Sequence, residues 1–205
     1  MYTSLPSFVL GFHGCDKIVC DKIISGKDKL KPSDNSYDWL GNGIYFWEND
    51  PTRALEYATL IKRYPNRAKS KINTPAVIGA VIDLGHCLNL LDYKSLSIVK
   101  AGYDLLIQSQ KKTGNPLPEN KPIEKESDLL LRHLDCAVIE TIHAYNSANK
   151  VSAYDSVRSV FWEGVELYPN AGFKEKNHIQ VCVRNPNCIK GYFRPLDIDK
   201  VYPIP

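Results

Sequence analysis

Hydrophobic positions along the first fifty residues change from strand-like to helix-like spacing and back. The opening PSFVLGFHGCD predicts a strand that runs into a turn. The next segment, KIVCDKIISG, has apolar residues at positions 18, 19, 23 and 24, a helical spacing that ends at Gly26. The run GIYFW, at residues 43–47, is short and β-prone, which indicates a second strand. The chain is therefore expected to begin with a strand, a helix and another strand.

Three longer helices are predicted further along. Asp50 is a good N-cap and Pro51 suits the first helical position, so a helix is expected to begin there and to stop before Pro65. A second helix is expected over residues 93–112, before Gly114, and a third over residues 126–148. The predicted apolar side of the third helix consists of Leu130, Leu134, Ala137, Val138 and Ile142. Residues 113–127, which are polar and contain prolines, are typical of a surface loop.

Strands dominate the rest of the pattern. AVIGAVIDLG is rich in β-branched residues and is typical of an interior strand. Near the C-terminus, DSVRSVFWEG, NHIQVCV and NCIKGYF each predict a short strand. Because strands and helices are mixed without regular alternation, the sequence indicates an α+β fold rather than a doubly wound sheet. A length of 205 residues fits one domain over 1–205.

Composition and charge narrow the classes of function. The chain is 43% hydrophobic with a net charge of +3, an excess that permits a nucleic-acid partner without requiring one. Basic residues concentrate in two groups, and a solvated rim is the plainer explanation of each. These groups are Lys62, Arg63, Arg67, Lys69 and Lys71, and Lys174, Lys176, Arg184, Lys190 and Arg194. The first residues lack an export signal and no apolar run reaches about 18 residues, so we expect a cytoplasmic protein without a membrane span.

The chain has six cysteines, an even number that in a short secreted protein would suggest disulfides. Cys136 lies in an apolar helical pattern and Cys182 in an alternating strand pattern, so both are expected to be small buried side chains in a reducing compartment. Cys15 and Cys20 are five residues apart and have no second pair, so we expect no zinc site and no other metal site.

Three segments carry the candidate chemistry: GFHGC at 11–15, GNGIYFWENDPTRALEYA at 41–58 and NHIQVCVRNPNCIKGYF at 177–193. Together they resemble the ADP-ribosyltransferase superfamily, in its diphtheria-toxin and poly(ADP-ribose)-polymerase-like branch. There a strand-borne His-Gly, a tyrosine in a Gly-x-Gly-Ile-Tyr-Phe strand and a residue on a strand near the C-terminus form the site. His13-Gly14, Tyr45 and Gln180 occupy these places in the same order. The resemblance implies two packed, mainly antiparallel sheets that form an NAD cleft, with flanking helices.

The resemblance also implies a role for each residue toward NAD, which would be a co-substrate. The main chain of Gly14 would pair with the nicotinamide carboxamide, where a Cβ would block the approach, and His13 would contact a ribose hydroxyl. Tyr45 would stack on the nicotinamide ring with Tyr57 as a second wall, and core packing is the alternative for both tyrosines. Ala54 stands where many relatives have a serine that bonds the carboxamide. The predicted NAD-binding residues are His13, Gly14, Cys15, Asn42, Gly43, Tyr45, Phe46, Arg53 and Tyr57, of which Asn42 and Arg53 would reach the diphosphate.

Gln180 departs from the resemblance, because transferring members have Glu at this place. A fixed carboxylate stabilises the positive charge that develops on the ribose and holds the 2′-hydroxyl, whereas an amide keeps only the hydroxyl contact. Glu163, Glu166 and Glu175 are alternatives for the missing charge, although an ordinary surface position is the plainer explanation of each. His178 is a candidate for contacting or deprotonating the acceptor. The predicted catalytic residues are His13, Tyr45, His178 and Gln180.

The sequence leaves three functions open. The first is NAD-dependent mono-ADP-ribosyl transfer to a macromolecule, with a nucleic-acid base favoured over a protein side chain because basic and aromatic residues flank the acceptor loop. Small transferases of this kind resemble toxins of bacterial toxin–antitoxin or anti-phage systems, which implies an antitoxin protein as a partner. The second is a catalytically silent module that binds NAD or ADP-ribose. The third is an NAD glycohydrolase with water as the acceptor.

Overall fold

A computed structural model describes residues 8–123, 128–197, 201 and 202 of the protein, and it has an α+β fold. The strands are β1 (Phe8–Asp16), β2 (Ile44–Glu48), β3 (Pro75–Asp83), β4 (Cys87–Asn89), β5 (Asn120–Lys121), β6 (Leu131–Arg132), β7 (Ser156–Phe161), β8 (His178–Val183) and β9 (Ile189–Phe193). The helices are α1 (Lys17–Ile24), α2 (Pro51–Arg63), α3 (Tyr93–Thr113) and α4 (His133–Ala148). The α+β class expected from the sequence is therefore confirmed.

Seven strands form one sheet in the order β4-β7-β8-β2-β1-β3-β9, and β5 and β6 form a separate pair. Neighbouring strands are antiparallel, except that β4 and β7 run parallel. The expectation of two packed sheets therefore differs from the observed architecture, in which the seven strands are joined continuously. The joint between β1 and β2 is narrow, because it consists of the pairs Gly11–Glu48 and Phe12–Trp47 alone among the described residues. By contrast, β1 and β3 are paired along nine residues.

Elements with strong local signals begin and end as predicted. The side chain of Asp50 accepts a hydrogen bond from the Arg53 amide at 2.9 Å, and α2 ends before Pro65. Gly114, which follows α3, has a φ of +72°, the left-handed conformation that favours glycine at a helix end. The interior strand and the three C-terminal strands are observed as β3, β7, β8 and β9.

Two helix predictions need correction. The third long helix begins at His133 rather than near residue 126, and residues 126 and 127 lie outside the described chain. Its cap is distant in sequence, because the side chain of Asn120 accepts from the amides of Leu134 and Asp135 at 2.9 and 3.2 Å. In α1, the apolar face differs from the predicted one: Cys20 and Ile23 are buried, whereas Ile18 is 62% exposed.

The two faces of the sheet have separate cores. On one face, Phe46, Ile78 and Val181 pack with Cys20 and Ile23 of α1. On the other face, Trp47 packs with α2, and Cys182 and Val157 pack with α3 and α4. All six cysteines are free thiols, and Cys136 and Cys182 are buried as predicted. Within the described ranges, no helix combines the length and apolar composition needed to cross a membrane.

Candidate functional site

The His-Gly of the first motif lies where β1 separates from β2. His13 follows the last paired residue, and its Nδ1 lies 2.8 Å from the carbonyl oxygen of Tyr45. A carbonyl oxygen only accepts, so Nδ1 carries the proton and donates it. Burial lowers the pKa of His13, although the bond to Tyr45 opposes this, and the ring is neutral with Nε2 as an acceptor. The His13 side chain therefore bonds a carbonyl of β2 that would otherwise be available for the next main-chain hydrogen bond between β1 and β2.

The main-chain groups of Gly14 face the gap that this separation opens. The Asn49 amide donates to the Leu10 carbonyl at 2.8 Å, so the even-numbered residues of β1 direct their amide groups toward β2. No residue of β2 is paired with Gly14 in the described chain. A Cβ at Gly14 would overlap the carbonyl oxygen of Ala54. The glycine therefore lets α2 lie directly on β1 and leaves its own amide groups in the gap.

Tyr45 and Gln180 lie on one face of the neighbouring strands β2 and β8. Tyr45 is paired with Cys182 and Trp47 with Gln180, which puts these four side chains on the same face as α2 and α4. The Tyr45 hydroxyl accepts from the Leu40 amide at 2.8 Å and donates to the Gly41 carbonyl at 2.6 Å. These bonds fix the ring, and burial raises the pKa of Tyr45 well above its ordinary value.

Trp47 of β2 packs against Tyr57 of α2. Tyr57 is the residue predicted from the sequence as the second aromatic wall of the nicotinamide pocket. The rings of Trp47 and Tyr57 have centroids 5.2 Å apart and are tilted by 43°. Trp47 is 7% exposed, and its indole nitrogen has no hydrogen-bond partner in the described part of the chain. A buried donor without a partner costs about 1–3 kcal/mol, so this N–H is a candidate contact for a ligand. Trp47 is not among the residues predicted from the sequence, because an aromatic residue in a β-prone run fits a core strand equally well.

Gln180 is held by His178. The amide nitrogen of Gln180 lies 3.0 Å from His178 Nε2, and His178 Nδ1 lies 2.7 Å from the Lys176 carbonyl. Because the carbonyl accepts from Nδ1, Nε2 has the lone pair and accepts from Gln180. Burial lowers the pKa of His178, although the bond to Lys176 opposes this, and the ring is neutral. Both nitrogens of His178 are engaged, whereas no described residue bonds the amide oxygen of Gln180.

Aromatic rings and a cation form the wall beside His178. The Trp39 ring is nearly parallel to the His178 ring, with centroids 6.2 Å apart, and it packs against Phe161 at 4.6 Å. The guanidinium of Arg132 lies 4.4 Å from the centroid of Trp39. The indole nitrogen of Trp39 donates to the Leu130 carbonyl at 2.8 Å. These contacts attach the segment before α4 to the wall of the site.

A charged cluster lies at the end of the site near α2. Arg53 Nη2 is 2.8 Å from Glu163, and Arg53 also pairs with Glu56, which is 3.0 Å from Lys176. Burial raises the pKa of Glu163, and the positive charge of Arg53 opposes this. Ser159, the β7 partner of Gln180, is four residues from Glu163, or about 13 Å of extended chain. The Glu163 carbonyl accepts from the amide of Lys176, four residues before Gln180, and the Glu163 carboxylate is bonded to Arg53 rather than to Gln180.

The structure does not bring all the predicted residues together. Cys15 and Phe46 are buried in the core on the opposite face of the sheet. The amide of Asn42 donates to Glu140 and its carbonyl accepts from Arg184, beyond the start of β2, whereas Arg53 follows the end of that strand. A Cβ at Gly43 would lie 2.5 Å from the Cys182 sulfur. The other two carboxylates, Glu166 and Glu175, belong to the exposed loop before β8.

Two surface cavities lie on elements that also contribute residues near the site. One, of about 580 Å³, is lined by residues 164–169 and Lys174 in the loop between β7 and β8. The other, of about 500 Å³, lies between α1, the start of α2 and the residues after β9. Neither is lined by His13, Tyr45, Tyr57 or Gln180. No group of three or more His, Cys, Asp or Glu side chains suited to a metal ion occurs among the described residues.

Comparison with known proteins gives one relative. An uncharacterized protein of Methanocaldococcus jannaschii is 29% identical over 197 residues, which cover 87% of this chain and 83% of the relative. No family model and no solved structure matches the chain. The name of the relative states no activity.

Proposed function

We propose that the protein is an NAD-dependent mono-ADP-ribosyltransferase that modifies a macromolecule. The observation that carries this proposal is the adjacency of three motifs that are far apart in sequence. His13-Gly14 lies on β1, Tyr45 on β2 and Gln180 on β8, and these strands are neighbours in the sheet. Gly14 is paired with Val77 of β3 but with no described residue of β2, so its main chain borders the gap between β1 and β2. The His13 ring bonds the Tyr45 carbonyl across this gap and contacts Phe46 on the α1 face of the sheet.

The reaction breaks the bond between nicotinamide and ribose. Nicotinamide leaves as a neutral molecule with the bonding electron pair, the ribose carbon becomes electron-poor, and a nucleophile of the acceptor bonds to it and loses its proton. Gly14 would hold the carboxamide and His13 Nε2 would accept from a ribose hydroxyl. Tyr45 and Tyr57 would enclose the ring. The amide oxygen of Gln180 would accept from the 2′-hydroxyl, with His178 as the group that orients the amide.

An uncharged residue at position 180 favours a second candidate, a module that binds NAD or ADP-ribose without transfer. Removing one preorganised electrostatic stabiliser typically reduces a rate by about 10²- to 10³-fold, so the amide is compatible with slow transfer as well. We favour transfer, with a nucleic-acid base as the acceptor. Water as the acceptor, which gives NAD glycohydrolase activity, is the remaining alternative.

The test uses the full chain and NAD labelled in its ADP-ribose part. We expect released nicotinamide and a labelled macromolecule that loses its label to nuclease but not to protease. Gln180→Ala should reduce the rate by about tenfold, the value of one hydrogen bond near 1.4 kcal/mol, whereas Gln108→Ala, at an exposed position on α3, should not change it. Free ADP-ribose without a labelled macromolecule would indicate the glycohydrolase. NAD binding without nicotinamide release, with every acceptor, would overturn the transferase in favour of the binding module.

A further inference from the structure

Positive charge is concentrated in one segment of the chain. Residues 57–82 contain five basic residues and no acidic residue, although the whole chain has a net charge of only +3. The rest of the protein therefore carries a net charge of −2. The basic residues lie in the second half of α2 and the turn after it, and they are Lys62, Arg63, Arg67, Lys69 and Lys71.

The ion pairs of the two basic groups differ. Every member of the later group lies within 4.0 Å of a carboxylate: Lys174 of Asp128, Lys176 of Glu56, Arg184 of Glu140, Lys190 of Asp83 and Arg194 of Asp21. In the segment after Tyr57, Lys69 is paired with Asp34. Lys62, Arg63 and Lys71 are exposed, and no carboxylate of the described residues lies within 4.0 Å of them. Their charge is therefore not cancelled locally.

An exposed aromatic ring lies among these cations. Tyr64, directly after α2, is 45% exposed, and the guanidinium of Arg67 lies 4.9 Å from the centroid of its ring. Cations that follow a phosphate backbone, together with an aromatic face on which a base stacks, are the combination that binds single-stranded nucleic acid. An acidic protein partner would pair with the cations, but it has no base to stack on the ring of Tyr64.

This surface adjoins the candidate site. Tyr57, whose ring packs on Trp47, precedes Lys62 by five residues on α2, a rise of about 8 Å along the helix. At the C-terminal end of α2, the ion pair of Lys69 with Asp34 connects the turn after the helix to the loop that precedes β2. A strand bound along α2 would therefore pass beside the aromatic wall of the site.

We infer that Lys62, Arg63, Tyr64, Arg67 and Lys71 form a binding surface for the backbone of single-stranded nucleic acid, hereafter the α2 surface. The inference deepens the proposed function, because it assigns the class of acceptor that the site would modify. The binding itself needs no NAD, so the two proposals are tested separately. Phosphate groups would contact Lys62, Arg63 and Lys71, and one base would stack on Tyr64.

The experiment measures fluorescence anisotropy of labelled 20-nucleotide RNA and DNA strands of mixed sequence, at several salt concentrations. The variant Lys62→Glu/Arg63→Glu/Lys71→Glu is compared with Lys94→Glu/Lys111→Glu/Lys112→Glu, which makes the same change of net charge at exposed positions of α3. Each phosphate contact on a single strand contributes about 0.7 to the slope of log affinity against log salt. Loss of three contacts should lower the slope by about 2 and the affinity at 0.1 M salt by about 100-fold.

The control variant should lose much less affinity and keep its slope, and Tyr64→Ala should weaken binding without changing the slope. RNA and DNA arms show which sugar is preferred. Equal losses in the two triple variants, or no binding of either strand at low salt, would overturn the α2 surface. Nicotinamide release from NAD alone should be the same in both triple variants. If strands bind as expected but no nicotinamide is released, the transferase fails and the α2 surface stands.

Discussion

Gln180→Glu is the substitution that tests the described site most directly. In the protein, a neutral His178 accepts from the Gln180 amide nitrogen at 3.0 Å. A carboxylate at position 180 has no proton to donate, so two acceptors would face each other as long as His178 stays neutral. Protonation of Nε2 would relieve this, because His178 could then donate to the carboxylate while Nδ1 keeps its bond to Lys176. The substitution should therefore raise the pKa of His178.

The contribution of His178 to the pH dependence of stability has opposite signs in the wild type and in Gln180→Glu. In the wild type, burial lowers the pKa of His178, so the unfolded chain binds the proton more readily and stability falls as pH drops through about 6.5. In the variant, the raised pKa gives stability that is present below about 6.5 and is lost as pH rises through the folded-state value. A carboxylate within about 4–6 Å typically raises a partner's pKa by 1–3, which corresponds to about 1.4–4 kcal/mol.

The assay is urea unfolding at pH 5.5 and pH 8.5 for the wild type, Gln180→Glu and Gln108→Glu. Subtracting the wild-type values removes the other titrating groups. When the pH is lowered from 8.5 to 5.5, the free energy of unfolding of Gln180→Glu should rise by about 1.4–4 kcal/mol relative to the wild type. The free energy of unfolding of the exposed variant Gln108→Glu should change little over the same range. A pH response equal to that of the control would refute the assignment of the His178 proton and its bond to Gln180. This test needs neither NAD nor an acceptor.

Two further substitutions test the supports of the site. Gly14→Ala should destabilise the protein by about 1–3 kcal/mol in urea unfolding, because the new Cβ overlaps the Ala54 carbonyl, and Gly172→Ala, where nothing lies within 4 Å, is the control; equal effects would argue against close packing of α2 on β1. Asn120→Ala should cost about 1 kcal/mol, since Asn120 caps α4 from a distance. Asn115→Ala, in the exposed loop, should be neutral, and a neutral Asn120→Ala would contradict the cap.

Elements whose signals are local could be predicted from the sequence. Asp50 and Pro51 define the start of α2, and Gly114 defines the end of α3, because capping depends on neighbouring residues. The start of α4 could not be found in this way, since its cap is Asn120, thirteen residues before the helix, on the strand that pairs with β6. Periodicity also failed for α1, where eight residues give too few turns to define a buried face.

The candidate site could likewise be predicted only where its signals are local. The motifs identified His13, Tyr45 and Gln180, which depend on recognisable neighbours in the chain. The partners of these residues depend on strand register, which no local pattern specifies. Register pairs Trp47 with Gln180, and the fold brings Trp39 onto His178 and Arg132 onto Trp39. Tertiary packing thus supplies most of the polar and aromatic surroundings of the motif residues.

The boundary between β1 and β2 has the fewest paired residues of any in the seven-stranded sheet. This seam divides the sheet into β4-β7-β8-β2 and β1-β3-β9, and within each part every boundary has more paired residues than the seam. Gly11 lies in this seam, and a Cβ there would be 2.5 Å from Ile82 and 2.8 Å from Phe46. Four described residues, Gly11, Phe12, Trp47 and Glu48, pair the two parts of the sheet, and a larger side chain at position 11 would have to displace Ile82 or Phe46. Glycine at position 11 is therefore what lets these two core side chains close over the seam.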